Sequence, residues 1–232
     1  MKYNDIINLT KHGKATIVKY SKDIKVKIKR TVKRRKPASI VDGMTVEKAR
    51  VIAHLQGDGC VTNKMVKYCN NYLSLVKLFH KDFKITFGFE SGKIRCDDGN
   101  WVTQSGARDV IEYLQNYKFS SRKWMVPKEI VDSSKKVKAE YLRSLFDDDG
   151  TIIFYDDTWR IRLYSVNKKA LVDIQNILNN FNIISFIQGP YGPRKKYQLE
   201  IAQKNSIKKF CKKISFFHPE KIKKSRIILK TI

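Results

Sequence analysis

Val51-Ile52-Ala53-His54-Leu55-Gln56-Gly57-Asp58-Gly59 and Leu142-Arg143-Ser144-Leu145-Phe146-Asp147-Asp148-Asp149-Gly150 are two versions of one pattern. Both run apolar, variable, small, variable, apolar, variable, and both close on Asp-Gly. Helix-favouring residues lead into each: Val46-Glu47-Lys48-Ala49-Arg50 before the first and Lys138-Ala139-Glu140-Tyr141 before the second. A β-prone run follows each. The pattern predicts two helices that stop at Gly59 and Gly150, where glycine accepts the left-handed backbone of a helix C-terminus.

The acids are out of place for a helix end. Asp58 and Asp149 fall in the predicted last turn, where the negative end of the dipole disfavours a carboxylate by roughly 0.3–1 kcal/mol. Two such acids in matching contexts point to a nearby cation. Ala53 and Gly57, one helical turn apart, allow a second backbone to come close. Side-by-side packing of the two helices would bring Asp58 and Asp149 together, and two adjacent carboxylates need a cation to stay ionised. A hard divalent ion with oxygen ligands, such as Mg²⁺, meets that need.

At these residues the chain resembles the LAGLIDADG homing endonucleases, whose nine-letter motif ends in the same acid-glycine pair and occurs twice in single-chain members. The likeness extends to Val126-Pro127-Lys128-Glu129-Ile130 and Val137-Lys138-Ala139-Glu140-Tyr141-Leu142, which look like the entry to the second motif of archaeal and intein-encoded members, and it spans about residues 46–232. The motifs depart from the family in four places. His54 stands at an apolar position, Arg143 and Ser144 replace small residues, and Gln56 replaces an acid. The resemblance implies metal binding by Asp58 and Asp149, one acid per DNA strand cut, with the preceding Gly57 and Asp148 in the ligand set. It implies Mg²⁺ as cofactor, with Mn²⁺ able to substitute. Family members also carry a lysine near the end of each repeat, and Phe119-Ser120-Ser121-Arg122-Lys123 and Phe217-His218-Pro219-Glu220-Lys221 both place a lysine four residues after a phenylalanine. Lys123 and Lys221 are the candidates. Asp147 is a candidate supporting acid.

Composition sets the partner class. The chain has 48 Lys+Arg against 22 Asp+Glu, a net charge of +26, so a polyanion is the expected partner, most simply nucleic acid. No stretch is long enough to span a bilayer, and no long basic amphipathic helix suits a membrane surface. Met1 to Lys14 lacks the apolar core of a signal peptide. The four cysteines show neither CxxC nor zinc spacing and read as free thiols of a reducing compartment, cytoplasmic or organellar, in a protein that is not secreted. No nucleophilic triad or phosphate-binding glycine loop is present.

Residues 1–45 read as a basic extension. Ile24 to Lys29 alternates as a strand. Lys33, Arg34 and Arg35 form either a phosphate-tracking arm or a solvated charge run, and 37–43 reads as a linker. The first repeat, 46–130, has the motif helix to about 58, a hairpin over 60–69 and a helix over 71–83 with Leu73, Val76, Phe79 and Phe83 on one side. A strand at Lys84–Phe89 follows by strict alternation, then strands near 93–96 and 101–104 and a helix over 106–117. The second repeat, 131–232, copies that order. It has a motif helix to about 149, strands near 151–155 and 159–165, and a helix capped by Asn167. Strands near 183–188 and 195–203 and a helix capped by Asn205 complete it, followed by a basic helical tail from Pro219.

The expected fold is therefore α+β, two pseudo-symmetric αββαββα repeats with their motif helices packed together. The resemblance implies that the antiparallel sheets are saddle-shaped and grip duplex DNA, and a two-stranded ribbon fits the major groove. Lys93, Arg95, Arg160, Arg162, Gln198 and Glu200 are the candidate base readers; each is otherwise a solvated side chain. The first functional expectation is a monomeric, site-specific endonuclease making metal-dependent double-strand breaks at a long asymmetric site, without an obligate protein partner. An intron-RNA-binding maturase and a cleavage-inactive DNA-binding regulator are the alternatives.

Overall fold

Each nine-residue pattern folds as a helix that runs almost directly into a strand. In the computed structural model, which describes residues 37–231, α1 (Val46–Gln56) passes through Gly57 and Asp58 into β1 (Gly59–Val61), and α5 (Lys135–Asp148) passes through Asp149 into β5 (Gly150–Tyr155). Lys33, Arg34, Arg35 and the strand expected over 24–29 lie outside the described residues. Thr45 caps α1 by accepting from the Lys48 N–H, and Ser134 caps α5 by accepting from Val137. Neither Gly59 nor Gly150 takes a positive φ. Their glycine is explained by crowding instead: a Cβ on Gly59 would lie 2.4 Å from the Leu55 Cα, and one on Gly150 2.4 Å from the Phe146 carbonyl oxygen. The strand turns back against its own helix too tightly for a side chain.

The rest of each repeat is the expected series. After β1 come β2 (Val66–Asn70), α2 (Leu73–Phe87), β3 (Arg95–Asp97), β4 (Asn100–Ser105) and α3 (Arg108–Leu114). A short α4 (Lys128–Val131) leads to α5 and β5, then β6 (Thr158–Ser165), α6 (Lys168–Asn179), β7 (Phe186–Tyr191), β8 (Lys196–Ile201), α7 (Lys204–Lys213) and α8 (Pro219–Thr231). The two antiparallel sheets have the same order, β1-β2-β4-β3 and β5-β6-β8-β7. Residues expected as linker run along the first repeat, with the Ser39 and Val41 N–H groups donating to the Phe87 and Thr86 carbonyls. Asn167 caps α6 as the sequence predicts. Among the described residues no helix is long and apolar enough to cross a membrane.

Two expected elements are corrected. Lys84–Phe89 is not a strand; α2 continues to Phe87 and ends at Gly88, φ 75°. Its alternation of apolar residues coincided with a stripe at four-residue spacing, Phe79, Phe83 and Phe87, all buried with tilted rings in contact, which leaves Ile85 exposed. Asn205 does not cap α7, which starts one residue earlier behind Gln203 without a side-chain cap.

The helix α1 serves two cores. Ala49, Ile52 and Ala53 pack with Tyr141, Leu142 and Leu145 in the core of the second repeat, while Val51 and Leu55 join Val66, Tyr68, Phe79 and Phe83 in that of the first. Arg50 ties the two halves: it donates to Asp82 at 2.7 and 2.8 Å and to Glu140 at 3.0 Å. At the C-terminal end of the pair the backbone of Gly57 lies against Asp148, so that a Cβ on Gly57 would come within 2.6 Å of the Asp148 Cβ. Gly57→Ala should therefore force the helices apart and cost about 1–3 kcal/mol of stability, read as a lower midpoint in urea unfolding; an unchanged midpoint would show that the contact is slack.

Candidate active site and nucleic-acid interface

Because α1 and α5 touch at Gly57 and Asp148, the residues that follow each contact also come together. Asp58 lies in the turn between α1 and β1, and Asp149 caps α5. Both lie just beyond the helices rather than within their last turns. Burial raises the Asp149 carboxyl to about 7, and the charges of Asp58 and Asp148 add to the rise. Burial and the charge of Asp148 raise Asp58 to about 6, opposed by the Asn70 amide, which donates to its Oδ2 at 2.9 Å. Both residues nevertheless keep a solvent-exposed side. The acids are thus open yet crowded, and ionising both is unfavourable.

Each acid opens onto its own cavity. The cavity of Asp58, about 330 Å³, is lined by Asn70, Asn71, Tyr72, Asn100 and His218. That of Asp149, about 480 Å³, is lined by Arg122, Trp124, Tyr164, Arg194 and Lys196. The first also includes Asp147 and Asp148 in its lining, whereas the second carries three cationic residues.

Of the two candidate lysines, only Lys221 lies beside the acids. Lys221 is half-buried on α8 and its Nζ donates to the Phe146 and Asp147 carbonyls at 2.9 and 2.5 Å, capping the end of α5. Burial lowers its pKa, while Asp147, Asp148, Asp58 and Asp149 pull it back up. Lys123 is exposed, and Arg122 rather than Lys123 lines the Asp149 cavity. The sequence signal was one residue out, because the Phe-to-Lys spacing was matched without the turn that aims the chain.

The sixth motif position does the same work in both halves. Asp147 accepts from the Phe217 and His218 N–H groups, pinning the start of α8 to α5. The side-chain amide of Gln56 donates to the Met125 carbonyl at 2.8 Å and its oxygen accepts from Tyr141 at 2.6 Å, pinning the Lys118–Met125 connection to α1. Gln56 reads in sequence as a lost acid, but it is a tether. Asp148 is also reassigned. Its side chain is fully buried and its two oxygens accept from His54 Nδ1 at 2.9 Å and the Tyr68 hydroxyl at 2.8 Å, so the carboxylate faces inward.

On the second sheet the expected base readers form one connected group. Arg160, Arg162 and Gln198 all donate to the Glu200 carboxylate, at 3.4, 2.5 and 3.0 Å. The register Arg162↔Glu200 and Tyr164↔Gln198 puts them on the face opposite Ile161, Leu163 and Leu199. Glu200 and Gln198 are nearly covered by this network, and the two arginines remain partly exposed above them. Exposed Tyr155, Tyr164 and Phe186 add flat surfaces to the region. On the first sheet Arg95 donates to Gln104 at 3.1 Å, and Lys93 stands exposed before β3.

Residues 136–215 match the LAGLIDADG-like domain family. The match lies within the second repeat. The first repeat has the same strand order and the same junction between motif helix and strand. Among solved structures, mesophilic variants of the homing endonuclease I-DmoI align with a TM-score of 0.57 at 17% identity, over 73% of this chain and 95% of that one. I-DmoI in complex with DNA and Mn gives 0.55 at 17% identity, over 73% and 96%. Full-length DUF199/WhiA from Thermatoga maritima gives 0.55 at 13% identity, over 82% of this chain and 62% of that chain. No curated protein matches the chain. At these identities the structural likeness is one of fold: two LAGLIDADG repeats built on eight helices and two four-stranded sheets among the described residues.

The donor chemistry of Asp58 and Asp149 fits a hard divalent cation. Among the described residues no group of three or more His, Cys, Asp or Glu is placed to hold a metal unaided. Two carboxylates that repel each other, with cavities open beside them, match the way Mg²⁺ is held by one or two protein acids plus phosphate oxygens and water. Such binding displaces protons from acids that titrate near 6 and 7. Cation affinity, measured by calorimetry, should therefore weaken as pH falls through 7 to 6 in the wild type. Asp149→Asn should weaken binding at every pH and remove the step near 7; a flat profile in the wild type would mean that the acids do not hold the ion.

Proposed function

We propose that this protein is a monomeric, site-specific homing endonuclease that makes double-strand breaks in a long asymmetric DNA site with Mg²⁺, for which Mn²⁺ substitutes. The observation that carries the reading is the convergence of Asp58 and Asp149 at one pair of helix ends, each acid opening on a cavity of its own. A protein that only binds DNA gains nothing from crowded carboxylates facing phosphate. The net charge of +26 supplies the attraction for duplex DNA, and the partly exposed arginines of β6 lie on a ribbon suited to the major groove. The I-DmoI structures solved with DNA support the same partner. The free cysteines among the described residues suit a reducing compartment, cytoplasmic or organellar.

In this reading Asp58 and Asp149 hold the cation, with the backbone of Gly57 and Asp148 at its side. When bound, the ion supplies an activated water and neutralises charge on the phosphate. Lys221 keeps the end of α5 capped and lends positive charge beneath the acids. Arg122, Arg194 and Lys196 draw one phosphate into the Asp149 cavity. Asn70 orients Asp58.

The test is selection of cleaved duplexes from a randomised library with Mg²⁺, then assay of variants on the selected site. Asp58→Asn or Asp149→Asn should abolish double-strand cleavage while affinity stays within a few-fold of wild type. Loss of binding instead would make the acids structural, and tight binding by a wild type that never cuts would favour a regulator. Preference for structured RNA over every duplex would favour a maturase. Lys221→Met and Arg122→Met should each slow cutting more than they weaken binding, whereas Lys123→Met should leave the rate unchanged. Affinity should fall steeply with salt, as counterion release requires.

A further inference from the structure

The buried contact between the motif helices is built from unlike partners. The seventh motif positions, Gly57 and Asp148, face each other, with the Asp148 side chain filling the place where a Cβ on Gly57 would be. The Asp148 carboxylate is fully buried, and both groups that donate to it, His54 Nδ1 and the Tyr68 hydroxyl, come from the other repeat. His54 is fully buried as well, and its Nε2 has no hydrogen-bond partner. The bond to Asp148 is thus the one compensation His54 has for leaving water. Tyr68 and His54 also pack ring to ring, with centroids 4.8 Å apart.

The second repeat lacks every part of this donor set. The fourth motif position is His54 in one half and Leu145 in the other. Tyr68 is the residue paired with Gly59, and Leu163 is the residue paired with Gly150, so these two also correspond. One half therefore offers His, Gly and Tyr at the three positions, and the other offers Leu, Asp and Leu. Pairing two second halves would set Asp148 against a second Asp148 with no donor for either. Pairing two first halves would leave two buried histidines and two tyrosine hydroxyls without an acceptor, over a gap between facing glycines. A buried carboxylate or imidazole left unmatched is strongly unfavourable, while the matched set is satisfied.

We propose that His54, Tyr68 and Asp148 form a pairing key that makes the two unlike halves associate with each other and bars association of like halves from two copies of the chain. The key acts on which surfaces meet. It holds whether or not the protein cuts DNA, so its failure and the failure of the nuclease reading are separable.

The test uses the full chain and two readouts. In a mutant cycle on chemical unfolding, His54→Leu and Asp148→Ala should each lose stability, read as an unfolding equilibrium constant raised at least about tenfold. The triple variant His54→Leu/Tyr68→Phe/Asp148→Ala should recover much of that loss, because the polar groups leave together. Should Asp148→Ala fail to fold, Tyr68→Phe, which deletes one hydroxyl, completes the cycle with His54→Leu. In light scattering after refolding at high protein concentration, wild type should stay monomeric. The triple variant, freed of the key, should form dimers whose fraction grows with concentration. Additive effects in the cycle would overturn the proposal, and so would a triple variant that refolds as a monomer at every concentration.

Discussion

Two helix ends pressed into van der Waals contact set the terms for the rest of this molecule. The close approach requires glycine at position 57, because Asp148 occupies the volume a side chain would take. It also requires each chain to turn into its strand at once, and the crowding at Gly59 and Gly150 explains their glycines without any left-handed backbone. The acids at the two exits have no choice but to be neighbours, and their raised titration ranges follow from that placement. Stability here is traded for chemistry: helix termini that elsewhere attract cations hold clustered carboxylates instead.

The two repeats share a strand order but not a chemistry. Amides, aromatic rings and two further acids line the cavity of Asp58, and three cationic side chains line that of Asp149. Lys221 works from inside, on the carbonyls of α5, while its expected counterpart Lys123 points to solvent. The second sheet carries a compact Arg160-Glu200-Arg162 group that holds its cations in fixed positions, and the first offers a lighter set around Arg95. Arginines held by a carboxylate lose less freedom when they meet a base or phosphate than free ones would.

Much of this was legible in the letters. The repeated nine-residue pattern located both motif helices, and apolar spacing found the helices and hairpins of each half. The failures have physical causes. At Lys84–Phe89 a period of two and a period of four fit the same residues, and only the tertiary stack of Phe79, Phe83 and Phe87 decides between them. The motif register singled out Asp149, but not that Asp148 faces inward: one residue along a helix turns a side chain by about 100°, enough to take it from outside to inside. His54 at an apolar position was the visible clue, since a buried imidazole needs a partner. Gln56 was misread for the opposite reason: an amide can hold a backbone carbonyl as well as an acid can hold an N–H, so a change of letter kept the task.

The anchoring of α8 on α5 has a consequence for synthesis. Asp147 is buried and accepts the Phe217 and His218 N–H groups, and Lys221 covers the carbonyls beside it. A ribosome delivers Asp58 first, then Asp149, and these partners some seventy residues later. Until they emerge, the nascent chain carries Asp149 at the end of a helix, α5, whose last carbonyls are bare. The molecule is thus assembled with the neighbourhood of Asp149 completed late, when the segment that locks it joins α5.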